Sequence, residues 1–290
     1  MKLIITLTFC ILSTFLSAQE YYSFDKALEN PSNCSALILR DLSLDSLSYE
    51  VSTLTELTSI SLKKNNLTTL PPAIATLKKL TELSAPQNKI TVLPRELGKC
   101  ATLVKLDLEE NSISNLPSGF ESLQNLTELN LSKNQFTNFP YNLLTCRRLT
   151  YLNFSENKFT DLTIRIPPSV SLRELNFSRN QISSFKLNNR ADSLETLNLS
   201  GNYLEEIAFT GNPTLKTIIL NNNQLAKIPD FVYEQKDLET LVISFNPIDE
   251  IDLKISNLPH LKTVVLNNTQ ITEETIKDIK KMTPGVQFKY

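Results

Sequence analysis

Apolar positions recur along this chain on a ruler of about 23 residues. From Leu103 the order is Leu103, Leu106, Leu108, Asn111, Ile113, Leu116, Pro117, Phe120 and Leu123, and it restarts at Leu126. One unit upstream it reads Leu80, Leu83, Asn88, Ile90, Leu93 and Pro94. One unit downstream it reads Leu126, Leu129, Leu131, Asn134, Phe136, Phe139 and Pro140. Self-similarity at this length marks a stack of equivalent supersecondary units. The first leucines of successive units are Leu57, Leu80, Leu103, Leu126, Leu149, Leu172, Leu194, Leu215, Leu238 and Leu261, with shorter steps only before Leu194 and Leu215.

Within a unit, Leu-x-x-Leu-x-Leu predicts a short strand whose alternate side chains point inward and outward. The inward leucines meet apolar residues returning from the outer side, such as Phe120 and Leu123. One unit cannot close a core, but stacked neighbours can. Asn65, Asn88, Asn111, Asn134, Asn157, Asn180, Asn202, Asn223 and Asn246 form a column at the strand exit. Each is expected to turn inward and satisfy backbone groups that would otherwise be buried unpaired, at roughly 1–3 kcal/mol apiece. Pro71, Pro94, Pro117, Pro140 and Pro229 begin the outer segment, where a strand cannot continue. Pro167-Pro168 and Asn212-Pro213 disturb that outer side near the shorter steps.

The order of leucines, the Asn column and the Leu-Pro step resemble the leucine-rich repeat, in its typical 23-residue class, over about residues 34–271. The resemblance implies an α/β fold: a right-handed solenoid with a curved parallel sheet on its concave face. Short helical or extended segments line the convex face. Helical caps are expected at both ends. Residues 19–33 form the first, with Ser23 capping a short helix bearing Phe24, Ala27 and Leu28. Residues 272–290 form the second, a helix from Thr272 to about Lys281 followed by a closing strand. In that strand Val286 and Phe288 are expected at the two strand leucine positions.

Residues 1–18 read as a secretory signal peptide: Met1-Lys2, an apolar run from Leu3 to Leu16, then Ser17-Ala18 before Gln19. The run is shorter than the roughly 20 apolar residues of a membrane span, so none is expected after cleavage. The expectation is an exported protein, periplasmic, cell-surface or secreted, resembling exported bacterial members of the family. The remaining Cys34, Cys100 and Cys146 fall at core positions. Cys100 and Cys146, two repeats apart, should lie roughly 10 Å from one another, beyond the reach of a disulfide, so they read as small core hydrophobes.

The formal charge of -2 argues against nucleic acid. One His and five Gly leave little material for a catalytic triad, a metal site or a phosphate loop. Asp107, Glu109 and Glu110 cluster, but they read as solvated outward positions beside Lys105. No enzyme activity, cofactor or metal is expected.

Register assigns the exposed concave face, where this family usually binds. One column runs through Asp107, Asn130, Asn153, Asn176, Asn198, Ile219, Val242 and Val265; Tyr151 lies two residues before Asn153, and Phe245 lies at the edge. Glu82, Lys105 and Glu128 are lateral neighbours of alternating sign and should neutralise one another. The Asn zone can read a peptide backbone or sugar hydroxyls, or simply form a ladder. The Ile219-Val242-Val265 row is the candidate hot spot. The expected function is a non-enzymatic scaffold for a protein or peptide, with a cell-envelope or extracellular glycan as the alternative ligand.

Overall fold

The computed structural model describes residues 19–189, 192–211 and 214–290. The leader at 1–18 and the Asn212-Pro213 step therefore lie outside the described residues. The chain enters through β1 (Gln19–Tyr21), α1 (Phe24–Glu29) and β2 (Cys34–Ile38). Three-residue strands follow, one per unit: β3 (Ser59–Ser61), β4 (Glu82–Ser84), β5 (Lys105–Asp107), β6 (Glu128–Asn130) and β7 (Tyr151–Asn153). In the next three units inner and outer strands alternate. They are β8 (Asp161–Ile166), β9 (Glu174–Asn176), β10 (Ser184–Asn189), β11 (Thr196–Asn198), β12 (Glu206–Gly211) and β13 (Thr217–Ile219). The chain ends with β14 (Thr240–Val242), β15 (Thr263–Val265), α2 (Glu273–Met282) and β16 (Gln287–Lys289).

Among the described residues, thirteen strands form one sheet in the order β1-β2-β3-β4-β5-β6-β7-β9-β11-β13-β14-β15-β16. Every pairing is parallel, and from β2 on the register matches repeat to repeat: Leu106 lies beside Leu129, and Leu129 beside Leu152. The middle residue of each short strand is buried and its flanking residues face outward. The inward leucines, with the apolar residues of the outer segments, make one continuous core. In its centre Phe154 and Phe177 stack at 5.6 Å, with Phe159 edge-on to Phe177 at 5.2 Å.

The Asn column does what its position demands. Asn134 Nδ2 donates to the carbonyls of Leu108, Leu131 and Ser132 at 2.9, 3.2 and 3.0 Å. Its Oδ1 accepts from Ile113 N–H of the preceding unit at 2.9 Å. Asn111 and Asn157 repeat the arrangement. The residue before each column Asn takes a positive φ: Lys64, Gln87, Glu110, Lys133, Glu156, Arg179, Asn222 and Phe245, with Gly201 in the same place. A left-handed residue costs an L-amino acid roughly 1–2 kcal/mol. The corner is thus a strained turn clamped by a buried amide.

The outer layer has two textures. Where a Leu-Pro or Phe-Pro step opens it, the proline carbonyl accepts from the N–H three residues on, as Pro71, Pro94 and Pro140 do from Ile74, Leu97 and Leu143 at 3.0 Å, and a 3-10 turn results. Between Asp161 and Gly211 that step is missing. There β8, β10 and β12 pair in parallel as a second sheet. The sequence carries the cause: Asp161-Leu162-Thr163-Ile164-Arg165-Ile166 alternates polar and apolar, and its burial alternates with it. Gly211, at φ 126°, closes β12 against Asn189, whose carbonyl oxygen lies 1.6 Å from where a Cβ would sit.

Two expectations at the ends need correction. Ser23 precedes α1, but its side chain makes no capping hydrogen bond; moreover, β1 precedes the helix and pairs with β2. At the other end Phe288 lies opposite Val264, and Val286 is not in the strand. Helix α2 runs to Met282, and a turn in which Val286 N–H donates to the Thr283 carbonyl consumes two further residues. Thr272 does cap α2, its hydroxyl accepting from Thr275 N–H.

One buried polar residue breaks the leucine pattern with good reason. Gln235, 1% exposed, stands where other units carry Leu or Cys. Its Oε1 accepts from Leu215 N–H at 3.3 Å and its Nε2 donates to the Phe231 carbonyl at 3.1 Å. In most other units the equivalent amide is satisfied locally, as Leu126 N–H is by the Leu123 carbonyl. The shortened unit before Leu215 draws this bond from its neighbour instead.

Two measurements of stability follow by chemical denaturation. Asn134→Ala strands several buried groups and is expected to cost about 3 kcal/mol; a loss under about 1 kcal/mol refutes the clamp. Gln235→Leu restores the leucine pattern yet is expected to destabilise by about 1–3 kcal/mol, and a gain in stability refutes the assigned role.

Candidate functional site

The exposed side of the long sheet is built from the residues flanking each buried strand centre. Asn130, Asn153, Asn176 and Asn198 stack across consecutive strands, with Asp107 at one end of the row and Ile219, Val242 and Val265 at the other. Most are half-buried, but Asn153 is buried at 9% exposure, so it is not the free surface donor that its column suggested. Neighbouring strands crowd it from both sides.

The ladder's oxygens are already engaged. Oδ1 of Asn130, Asn153, Asn176 and Asn198 accepts the N–H two residues on, from Ser132, Ser155, Ser178 and Ser200, at 2.9–3.1 Å. Asp107 does the same with Glu109 N–H at 3.2 Å. These are Asx turns that start the bend toward the column Asn. Their acceptors serve the fold, which leaves this strip with less free hydrogen-bonding capacity than its composition suggests.

Ion pairs cross the repeats on this face. Lys105 lies 3.1 Å from Glu128, so the lateral neutralisation of the alternating row is real. Glu109 and Glu110, however, are served by Lys133 of the next unit, at 2.7 and 3.9 Å, rather than by Lys105. Arg40 Nε donates to Ser61 Oγ at 2.7 Å, which ties down this side chain at the start of the sheet. Between strands β4 and β7 lies a recess of about 390 Å³ lined by Glu82, Lys105, Asp107, Glu128, Asn130 and Tyr151.

Asp107 is not the freely solvated carboxylate expected. Burial pushes its pKa up against the lowering effect of the Glu109 N–H, and burial likewise raises Glu174 and the Tyr151 hydroxyl. The signal was available in the alignment of repeats: Asp107 occupies the position of the ladder Asn130. Tyr151 and Asn130 thus meet in the recess. Ile219, Val242 and Val265 continue the row from Asn198, starting three strands away from Tyr151.

Phe245 stands apart again. It is 52% exposed at φ 56°, the only aromatic among the left-handed corner residues of the described chain. Polar residues or glycine hold that place in the other units. A bulky side chain in this conformation is an outlier that calls for a reason.

The cysteines carry no chemistry on this face. Cys34, Cys100 and Cys146 are free and buried, and burial pushes each thiol up to about 11. Among the described residues no group of three or more His, Cys, Asp or Glu could hold a metal ion, and no helix is long and apolar enough to cross a membrane.

Comparison with known proteins agrees with this architecture. A leucine rich repeat model matches residues 78–136 and 101–159, and a second matches residues 193–211. No curated protein matches the chain as a sequence relative. Among solved structures, a leucine-rich repeat protein of Leptospira interrogans is 22% identical at TM-score 0.53, covering 94% of this chain and 100% of that one. InlJ of Listeria monocytogenes is 22% identical at TM-score 0.66, covering 90% of this chain and 54% of its own. The effector YopM of Yersinia pestis is 28% identical at TM-score 0.65, covering 82% and 61%. This chain thus spans about half of InlJ and under two thirds of YopM. The fold is a leucine-rich repeat solenoid.

A thiol-reactive probe at pH 7 is expected to leave the native protein unmodified over hours and to label its cysteines once denatured, since so little thiolate forms. Fast labelling of the native chain refutes the buried, inert assignment.

Proposed function

We propose that this protein is a non-enzymatic, exported scaffold that binds a protein or peptide partner on the concave face of its solenoid. Export rests on the pattern of residues 1–18. Residues 19–33 and 272–290 serve as covers for the two ends of the core, with Ala27, Ile276 and Ile279 buried against it. A solenoid needs such ends, because each layer is otherwise covered only by its neighbour.

The observation that carries the reading is Phe245 beside the apolar row. Val242 and Val265 are paired neighbours on the exposed side, continuous with Ile219. Phe245 follows Val242 by three residues and projects from a corner that disfavours it. An exposed aromatic held at a conformational cost, next to β-branched neighbours, is the composition of an interface anchor. The partner's apolar side chains meet this row, while Tyr151 and the charged recess near Glu128 set orientation. The Asn ladder between them acts as a rigid floor.

The test separates fold from binding. Phe245→Gly is expected to raise stability by about 0.5–1 kcal/mol by relieving the left-handed strain, while abolishing partner capture from envelope extract. Val242→Glu is expected to abolish capture with little effect on the denaturation midpoint. Capture unchanged in both variants refutes the anchor.

A further inference from the structure

The outer sheet stops as though a strand were missing. Its register stacks two apolar columns: Leu162, Phe185 and Ile207, then Ile164, Leu187 and Phe209. In β8 and β10 these side chains are dry, between 1% and 4% exposed. In β12 Ile207 and Phe209 are only partly buried. The same inward-pointing columns thus run from core to solvent within one sheet.

The two edges of that sheet are finished differently. At the β8 edge Tyr141 of the preceding outer turn donates its hydroxyl to the Thr163 carbonyl. At the β12 edge, among the described residues, no hydrogen bond joins Glu206–Gly211 to the following unit. That unit reverts to a 3-10 turn, Asp230–Glu234, and touches β12 through a ring stack: Phe209 on Phe231, centroids 4.9 Å apart and planes 14° from parallel. A parallel strand bonds its neighbour with only half its backbone groups, so the outward half of β12 remains free to pair.

Between β12 and this turn lies a groove of about 320 Å³. Ile207, Phe209, Leu225 and Phe231 make its floor. Glu205, Glu206, Asp230 and Glu234 stand around it, and Lys227 is the one basic residue in its lining, 3.9 Å from Asp230. The groove is apolar below and negative at the rim.

We propose that the β12 edge is a second docking site, where an extended peptide of alternating basic and apolar residues adds a fourth strand to the outer sheet. Main-chain hydrogen bonds to β12 supply the pairing, and the two-residue period of a strand directs alternate side chains to opposite faces. The inward set continues the column that Ile207 leaves open, alongside the Phe231 ring already stacked on Phe209. The outward set meets Glu206 and its neighbouring carboxylates, which select Lys or Arg over acidic residues. The site lies in the outer layer and is independent of the Phe245 anchor.

The probe is a fluorescein-labelled, end-blocked peptide of three Lys-Val repeats, titrated against the full chain at low salt. Three controls accompany it: the Glu-Val counterpart, a Lys-Val peptide N-methylated at alternate backbone nitrogens, and the Glu206→Lys/Glu234→Lys protein. Binding of the Lys-Val peptide is expected, at least tenfold tighter than either altered peptide. The double variant should reverse the preference toward Glu-Val. Hydrogen exchange should show new protection at Glu206–Gly211 and none on the inner sheet. The N-methylated arm leaves the protein untouched, so poor folding of the variant cannot mask the answer. Equal binding of the N-methylated peptide overturns the proposal, since charge alone then explains it. So does protection on the inner sheet, absence of binding, or a dimer that already protects β12 without peptide.

Discussion

A buried amide at a tight corner governs this molecule. Each regular inner strand, from β3 on, is three residues long and must leave the sheet at once, inside a layer that excludes water. The exit needs a left-handed residue, and it leaves carbonyls from two units and an N–H from the preceding one facing a dry interior. One Asn answers all of these, as Asn134 does with four bonds at 2.9–3.2 Å. Asp or Ser could not replace it, because the position demands an acceptor and two donors on one planar group. The amide keeps its backward bonds even in the shorter units, as Asn202 and Asn223 do.

Departures from the repeat are readable against the same constraint. The unit before Leu215 is short, and Gln235 of the next unit supplies the acceptor that its backbone lacks. Without a Leu-Pro step, an alternating stretch such as Asp161–Ile166 forms a strand in the outer layer. That choice coincides with the aromatic core of Phe154, Phe159, Phe177 and Phe185. The strand series ends at β12, and the edge left there is a direct consequence of returning to a 3-10 turn at Asp230.

The exposed side of the long sheet obeys a second rule. Residues that look like ligand donors in sequence, the ladder from Asn130 to Asn198, have their acceptors committed to Asx turns. Charged neighbours are largely paired across repeats, as Lys105 is with Glu128 and Lys133 with Glu109. What remains uncommitted is apolar: the Ile219–Val265 row and Phe245. The anchor we propose is thus drawn from the side chains of which the fold makes least use.

By itself the sequence determined the period, the inward leucines, the Asn column and the lateral order of the exposed residues. All of these are set by contacts between equivalent positions of adjacent units, so one repeat, once read, dictates the next. Tertiary structure decided the rest. The burial of Asn153, the pairing of Glu109 with Lys133, the place of Phe288 opposite Val264 and the open flank of β12 depend on how much backbone each turn consumes. They depend equally on which neighbour covers a given side chain. Periodicity carries neither quantity, because both arise where the repeat is broken or where two distant segments meet.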